Sequence, residues 1–130
     1  MLSKNRLTKI KNLEFLTKLE VLDLHSNQVE VIEGLQTNKN LKILNLSNNR
    51  IKQISGIDSL KNLQELNLKS NKITKISCLE IISNLIKLNI SNNQISKIQE
   101  VSKLKKLKKL KHFWIEGNPI SPGPYYFQII

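Results

Sequence analysis

The sequence predicts an α/β fold: a right-handed solenoid with a parallel β-sheet on its concave face and short 3-10 or α turns on its convex face. Three observations predict it. Asparagine recurs at Asn5, Asn27, Asn49, Asn71, Asn93 and Asn118, with spacings of 22, 22, 22, 22 and 25 residues. Ahead of the asparagine stands an apolar triplet, as in Leu19, Leu22, Leu24 and again in Leu41, Leu44, Leu46. Behind it comes an apolar pair: Val29 and Ile32, Ile51 and Ile54, Ile73 and Ile76, Ile95 and Ile98. Self-similarity at a fixed period of about 20 to 50 residues marks an array of stacked units.

Each part of the frame has a physical reason. The paired leucines, Leu22 and Leu24 or Leu66 and Leu68, alternate with period 2, which buries one face of a short strand. A single coil cannot bury that face alone, so its neighbours in the stack supply the core. The asparagine ends the strand where the chain turns inward. Its amide can both donate and accept, which satisfies turn backbone that water does not reach. The return leg also repeats: Ile54, Ile57, Leu60 and Leu63 recur every third residue, as do Ile76, Leu79, Ile82 and Leu85. That spacing suits a 3-10 turn or a short helix. Gly34 and Gly56 occupy matching bends after the isoleucine.

The frame places a solenoid over residues 1–120, a partial coil at 1–10 followed by five repeats, and a short tail or incomplete cap at 121–130. Leu2, Asn5, Leu7 and Ile10 fit only the second half of a repeat, so the first strand is nearly absent and the first coil has no polar cap. Such an end implies either a piece of a longer protein or a covering partner or second copy. The last repeat carries three extra residues, with Val101, Leu104, Leu107 and Leu110 at every third position. Pro122 and Pro124 disfavour a helix before Tyr125.

Composition narrows the class. The 130 residues are 39% hydrophobic and 24% charged, the balance of a folded domain. No apolar stretch is long enough to span a bilayer, and Met1 to Arg6 lacks the pattern of a secretory signal. Cys78 is the single cysteine, so no internal disulfide forms and a reducing, cytoplasmic compartment is expected.

The 22-residue unit, with isoleucine closing the turn, resembles the intracellular leucine-rich repeats of protein phosphatase 1 regulatory subunits. Axonemal dynein light chains and other ciliary repeat proteins use similar units. Gly117, Asn118 and Pro119 with Tyr125 and Tyr126 resemble the start of the cap found in related repeat proteins. The resemblance implies a scaffold that binds another protein, with a phosphatase catalytic subunit, dynein or tubulin as candidate partners and a cytoplasmic, ciliary or cytoskeletal setting.

Candidate sites follow from the frame. Three columns point outward from the concave strands: Val21, Ile43, Glu65, Lys87, His112; then Asp23, Asn45, Asn67, Asn89, Trp114; then His25, Ser47, Lys69, Ser91, Glu116. Of these, Asp23, His25, Glu65, Lys69, Lys87, His112, Trp114 and Glu116 are the candidate partner-binding residues; the asparagines and serines also read as generic repeat filler. Phosphatase regulators of this type show acidic and aromatic residues on the concave face, and the match here is interrupted by Lys69 and Lys87. Trp114 is either an exposed anchor, since aromatics dominate binding energy, or a residue packed under Tyr125, Tyr126 and Phe127.

The second candidate is basic. The chain has a net charge of +11, and Lys103, Lys105, Lys106, Lys108, Lys109 and Lys111 lie within nine residues. With Leu104, Leu107 and Leu110 inward, these lysines face the convex side and its edge. They form either a solvated surface or a site for an acidic filament, such as a tubulin tail, or an anionic lipid. No aromatics interleave with them, which disfavours nucleic acid. No enzyme, metal or cofactor is expected. His25 and His112 lie four coils apart, about 19 Å at about 4.8 Å per strand. No paired carboxylates, metal-ligand spacing or phosphate loop appears. Cys78 reads as a small core or edge residue.

Overall fold

The computed structural model describes residues 2–77 and 79–120. Cys78 and the tail with Pro122, Pro124, Tyr125, Tyr126 and Phe127 lie outside the described residues. Five strands, β1 (Val21–Asp23), β2 (Ile43–Asn45), β4 (Glu65–Asn67), β6 (Lys87–Asn89) and β7 (His112–Trp114), form one parallel sheet in that spatial order. Leu22, Leu44, Leu66, Leu88 and Phe113 stand in register across it. A column of one side chain per coil is what a 22-residue period requires when each turn returns the chain one strand over.

The strands are three residues long because local chemistry ends them. In β2, β4 and β6 the side-chain oxygen of the last residue accepts the N–H two residues on: Asn45 from Ser47, Asn67 from Lys69, Asn89 from Ser91. Asp23 does the same with His25 at the end of β1. This local bond competes with extension of the ladder. The chain then enters the left-handed region at Ser26, Asn48, Ser70 and Asn92, with φ between 54° and 59°. Gly117 takes that position in the last full coil, with φ of 80°.

Asn27, Asn49, Asn71 and Asn93 are buried and follow at once. Each spans two coils. Asn71 Oδ1 accepts the Ile51 N–H at 3.0 Å, and its Nδ2 donates to the Leu46 and Leu68 carbonyls at 2.9 and 3.0 Å. Asn118 does the same for Ile95, Ile90 and Ile115. Asn5 differs: it is exposed, and among the described residues its side chain makes one bond, a 3.3 Å contact with the Ser3 carbonyl. It belongs to the first coil of the described residues.

The return legs are runs of i to i+3 bonds. Leu60 and Leu63 donate to Ile57 and Leu60, and Ile82 and Leu85 donate to Leu79 and Ile82. Three residues per turn keep Ile57, Leu60 and Leu63 all facing inward, and all are fully buried. At the bend before this leg, Gly56 has φ of 68°, and a Cβ there would lie 1.9 Å from the Ile32 carbonyl oxygen.

The sequence reading missed a second small sheet, in which β3 (Gln53–Ile54) pairs in parallel with β5 (Lys75–Ile76). The next coil, the longer one, forms helix α1 (Ile98–Ser102) and a 3-10 turn (Lys103–Lys106) instead of a third strand. Side chains close the exposed edge of β5. Glu100 Oε1 accepts the Ile76 N–H at 2.7 Å, and Lys103 Nζ donates to the Ile76 carbonyl at 2.9 Å. A parallel edge left without a strand is thereby satisfied by one acid and one base.

Candidate functional site

The concave sheet is braced by the asparagine bridges, which tie each strand's coil to the one before it. Its outward residues are less uniform than the frame suggests. In the third column Ser47 and Ser91 are buried, and their hydroxyls donate to Asn45 and Asn89. In the second column Asp23, Asn45, Asn67 and Asn89 are tied to backbone. These positions use their side-chain oxygens within the sheet, while Asn45, Asn67 and Asn89 still line the concave face.

Three large apolar or aromatic side chains face solvent from the sheet, with Glu65 and Lys87 on the strands between Ile43 and Trp114. Val21 is 53% exposed, Ile43 36% and Trp114 39%. Leaving such side chains in water is costly, and rigid apolar and aromatic contacts are the anchors of interfaces. Between Ile43 and Trp114 lies a shallow hollow of about 250 Å³, lined also by Asn45, Asn67 and Asn89 and by Glu65 and Lys87. The His112 and Trp114 rings stack, with centroids 6.0 Å apart and planes 18° from parallel.

The eight candidate residues fall into groups. Glu65, Lys87 and Trp114 line the hollow. Glu65 and Lys87 are an ion pair at 3.4 Å across adjacent strands. Asp23 and His25 form a separate pair at 2.6 Å, on the first coil. Burial raises the Asp23 carboxyl, but the His25 side-chain and backbone hydrogen bonds and charge outweigh it, and the pKa falls below the usual carboxylate value. Lys69 and Glu116 are exposed and lie outside the hollow. Ile43 and Val21 were not singled out from the sequence. The signal was there: β-branched residues stand in a strand column where the next coils carry charge.

The six lysines also divide. All are exposed, yet Lys103 is committed to Ile76 and Glu100, and Lys109 Nζ donates to Asn84 Oδ1 at 2.7 Å. Asn84 belongs to a second asparagine ladder that the sequence reading passed over. Asn40, Asn62 and Asn84 donate to the carbonyls of Thr17, Lys39 and Lys61, one coil back. Their spacing of 22 residues was the available signal. Among the described residues, no group of three His, Cys, Asp or Glu side chains is placed to hold a metal ion, and no helix is long and apolar enough to cross a membrane.

Comparison with known proteins agrees with this geometry. The sequence matches the family described as Leucine-rich repeat over residues 20–130. No curated protein matches it in sequence. Among solved structures, an internalin (inlF) from Listeria monocytogenes is similar, with a TM-score of 0.83 and 28% identity over 90% of this chain and 34% of that one. Internalin C2 of the same bacterium is 30% identical over 91% of this chain and 51% of its own, with a TM-score of 0.78. A leucine-rich-repeat protein of Leptospira interrogans is 26% identical over 99% of this chain and 40% of its own, with a TM-score of 0.81. The chain thus spans about a third to a half of these proteins. From the repeat, the parallel sheet and the family match together, this chain belongs to the leucine-rich-repeat family.

Proposed function

We propose that the chain is a protein-interaction module that holds a protein partner against its concave sheet. The observation that carries this reading is the exposure of the apolar and aromatic side chains Val21, Ile43 and Trp114 on the concave sheet, with a hollow between Ile43 and Trp114. A face of that kind offers shape and apolar contact at little ordering cost, because the sheet is pre-organised. Membership in a family of stacked repeats with an extended concave surface supports the same reading. A phosphatase partner would draw on the concave acids, of which Asp23 and Glu65 are engaged by His25 and Lys87 and Glu116 is exposed.

The test is capture of the partner by variants that keep the fold. Ile43→Asp and Trp114→Ala change exposed side chains, so the urea midpoint should stay close to wild type. The captured protein should weaken by tenfold or more, since central apolar anchors cost about 2 kcal/mol or more when truncated. Equal capture by both variants would overturn the assignment of this face.

A further inference from the structure

We propose that the edge of the solenoid that leads into the concave strands is a separate binding surface for an acidic polypeptide segment. The surface is a row, not a run in sequence. Lys39 and Lys61 occupy the same place in successive coils, and the matching place two coils on is Lys108, with Ser83 between. All three lysines are exposed, as are Lys105, Lys106 and Lys111 beside Lys108. At about 4.8 Å per coil, three coils bring the row to about 15 Å. Its charges therefore lie close enough to reinforce one another at physiological salt.

Two features distinguish this row from a merely solvated face. First, its own negative ends are covered. The carbonyls of Lys39 and Lys61 each accept an asparagine amide from the next coil, and Asn84 Oδ1 accepts Lys109. Second, its amines are unpaired among the described residues. The lysines in ion pairs are Lys42, Lys87 and Lys103, and among the described residues none of the six row lysines forms one. A fixed backbone with unneutralised amines at coil spacing favours a partner whose anions are also in line. In an extended acidic peptide, carboxylates on one side recur about every 6.6 Å, within reach of the flexible lysine stems. No aromatic residue interleaves with Lys105, Lys106 and Lys108 or adjoins Lys39 and Lys61 in sequence, which disfavours a nucleic-acid strand as the occupant.

The test uses the whole chain and a labelled peptide of about ten glutamates, long enough at about 3.3 Å per residue to cover the row. We expect binding at about 0.05 M salt that falls steeply by about 0.3 M. An exposed ion pair is worth roughly two- to threefold, so the triple variant Lys39→Ser, Lys61→Ser, Lys108→Ser should lose about tenfold or more. The variant Arg6→Ser, Arg50→Ser, Lys72→Ser removes equal charge from the edge that follows the strands, and it should bind within about twofold of wild type, as surface ion pairs there add little. Ile43→Asp should also bind normally, which separates this surface from the concave one. Absence of peptide binding at low salt would overturn the proposal. So would equal loss in the two triple variants, or tighter binding of oligothymidylate or phosphatidylserine vesicles than of the peptide.

Discussion

Replacing Asn71 with alanine measures what the asparagine bridges contribute. Asn71 sits mid-stack and is 7% exposed. Its loss orphans one donor outright, the Ile51 N–H. The three carbonyls it serves do not become orphans, because Leu46 O still accepts from Asn49, Leu68 O from Asn93, and Lys69 O, a longer contact at 3.4 Å, from the Asn48 N–H. One buried unsatisfied donor costs about 1–3 kcal/mol, and each weakened acceptor about 0.5 kcal/mol, for a total of about 3 kcal/mol. With a urea slope of about 2 kcal/mol/M, the midpoint should fall by about 1.5 M. In heating the shift should be about 10 °C for a domain of this size. Asn5→Ala is the control. It removes one exposed 3.3 Å bond and should move the midpoint by less than about 0.3 M. Far-UV circular dichroism through a urea titration reads both. Equal shifts for Asn71 and Asn5 would refute the view that the ladder acts by bridging coils.

Other outcomes follow from the same geometry. Gly56→Ala should cost more than about 2 kcal/mol, since the added methyl meets the Ile32 carbonyl at 1.9 Å and the backbone is left-handed; the urea midpoint checks it. The hydrogen bond from the Ile76 N–H lowers the Glu100 pKa most, Lys103 lowers it further, and burial opposes both. A carboxyl depressed on folding stabilises above its unfolded value of about 4.3 and loses that contribution as pH falls through the folded value. The stability gap between wild type and Glu100→Gln should therefore be constant near neutrality and shrink below about pH 4 in acid titrations. Lys103→Met should destabilise by about 1 kcal/mol or more through the Ile76 carbonyl, whereas Lys105→Met should change the urea midpoint little.

The coil and its stacking were legible because they rest on strict periods in apolar and asparagine positions. Leu44, Leu66 and Leu88 had to align once the period was 22. The breaks in the pattern were less legible. That Glu100 and Lys103 replace a third strand beside β5 follows from three inserted residues turning a coil into helix α1. No period in the sequence shows where those side chains reach. Asn40, Asn62 and Asn84 were visible at the same spacing as the first ladder, but polar residues on a turn read as solvated until the bond one coil back is seen. Ser47 and Ser91 read as outward by alternation, yet their hydroxyls fold onto Asn45 and Asn89 and leave the surface. The concave anchors Val21 and Ile43 were placed in an outward column by the frame, but the charged members of that column took the place of candidates, because exposure of an apolar side chain is read only from the folded sheet.

A photo-reactive residue placed at Ile43, and separately at the exposed convex position Ile81, tests the central claim most directly. Irradiation in a lysate that contains the partner should give one cross-linked protein from Ile43, suppressed by Trp114→Ala, and none in common from Ile81. Cross-linking of the same protein from Ile81 but not from Ile43 would place the partner on the convex side and contradict the account.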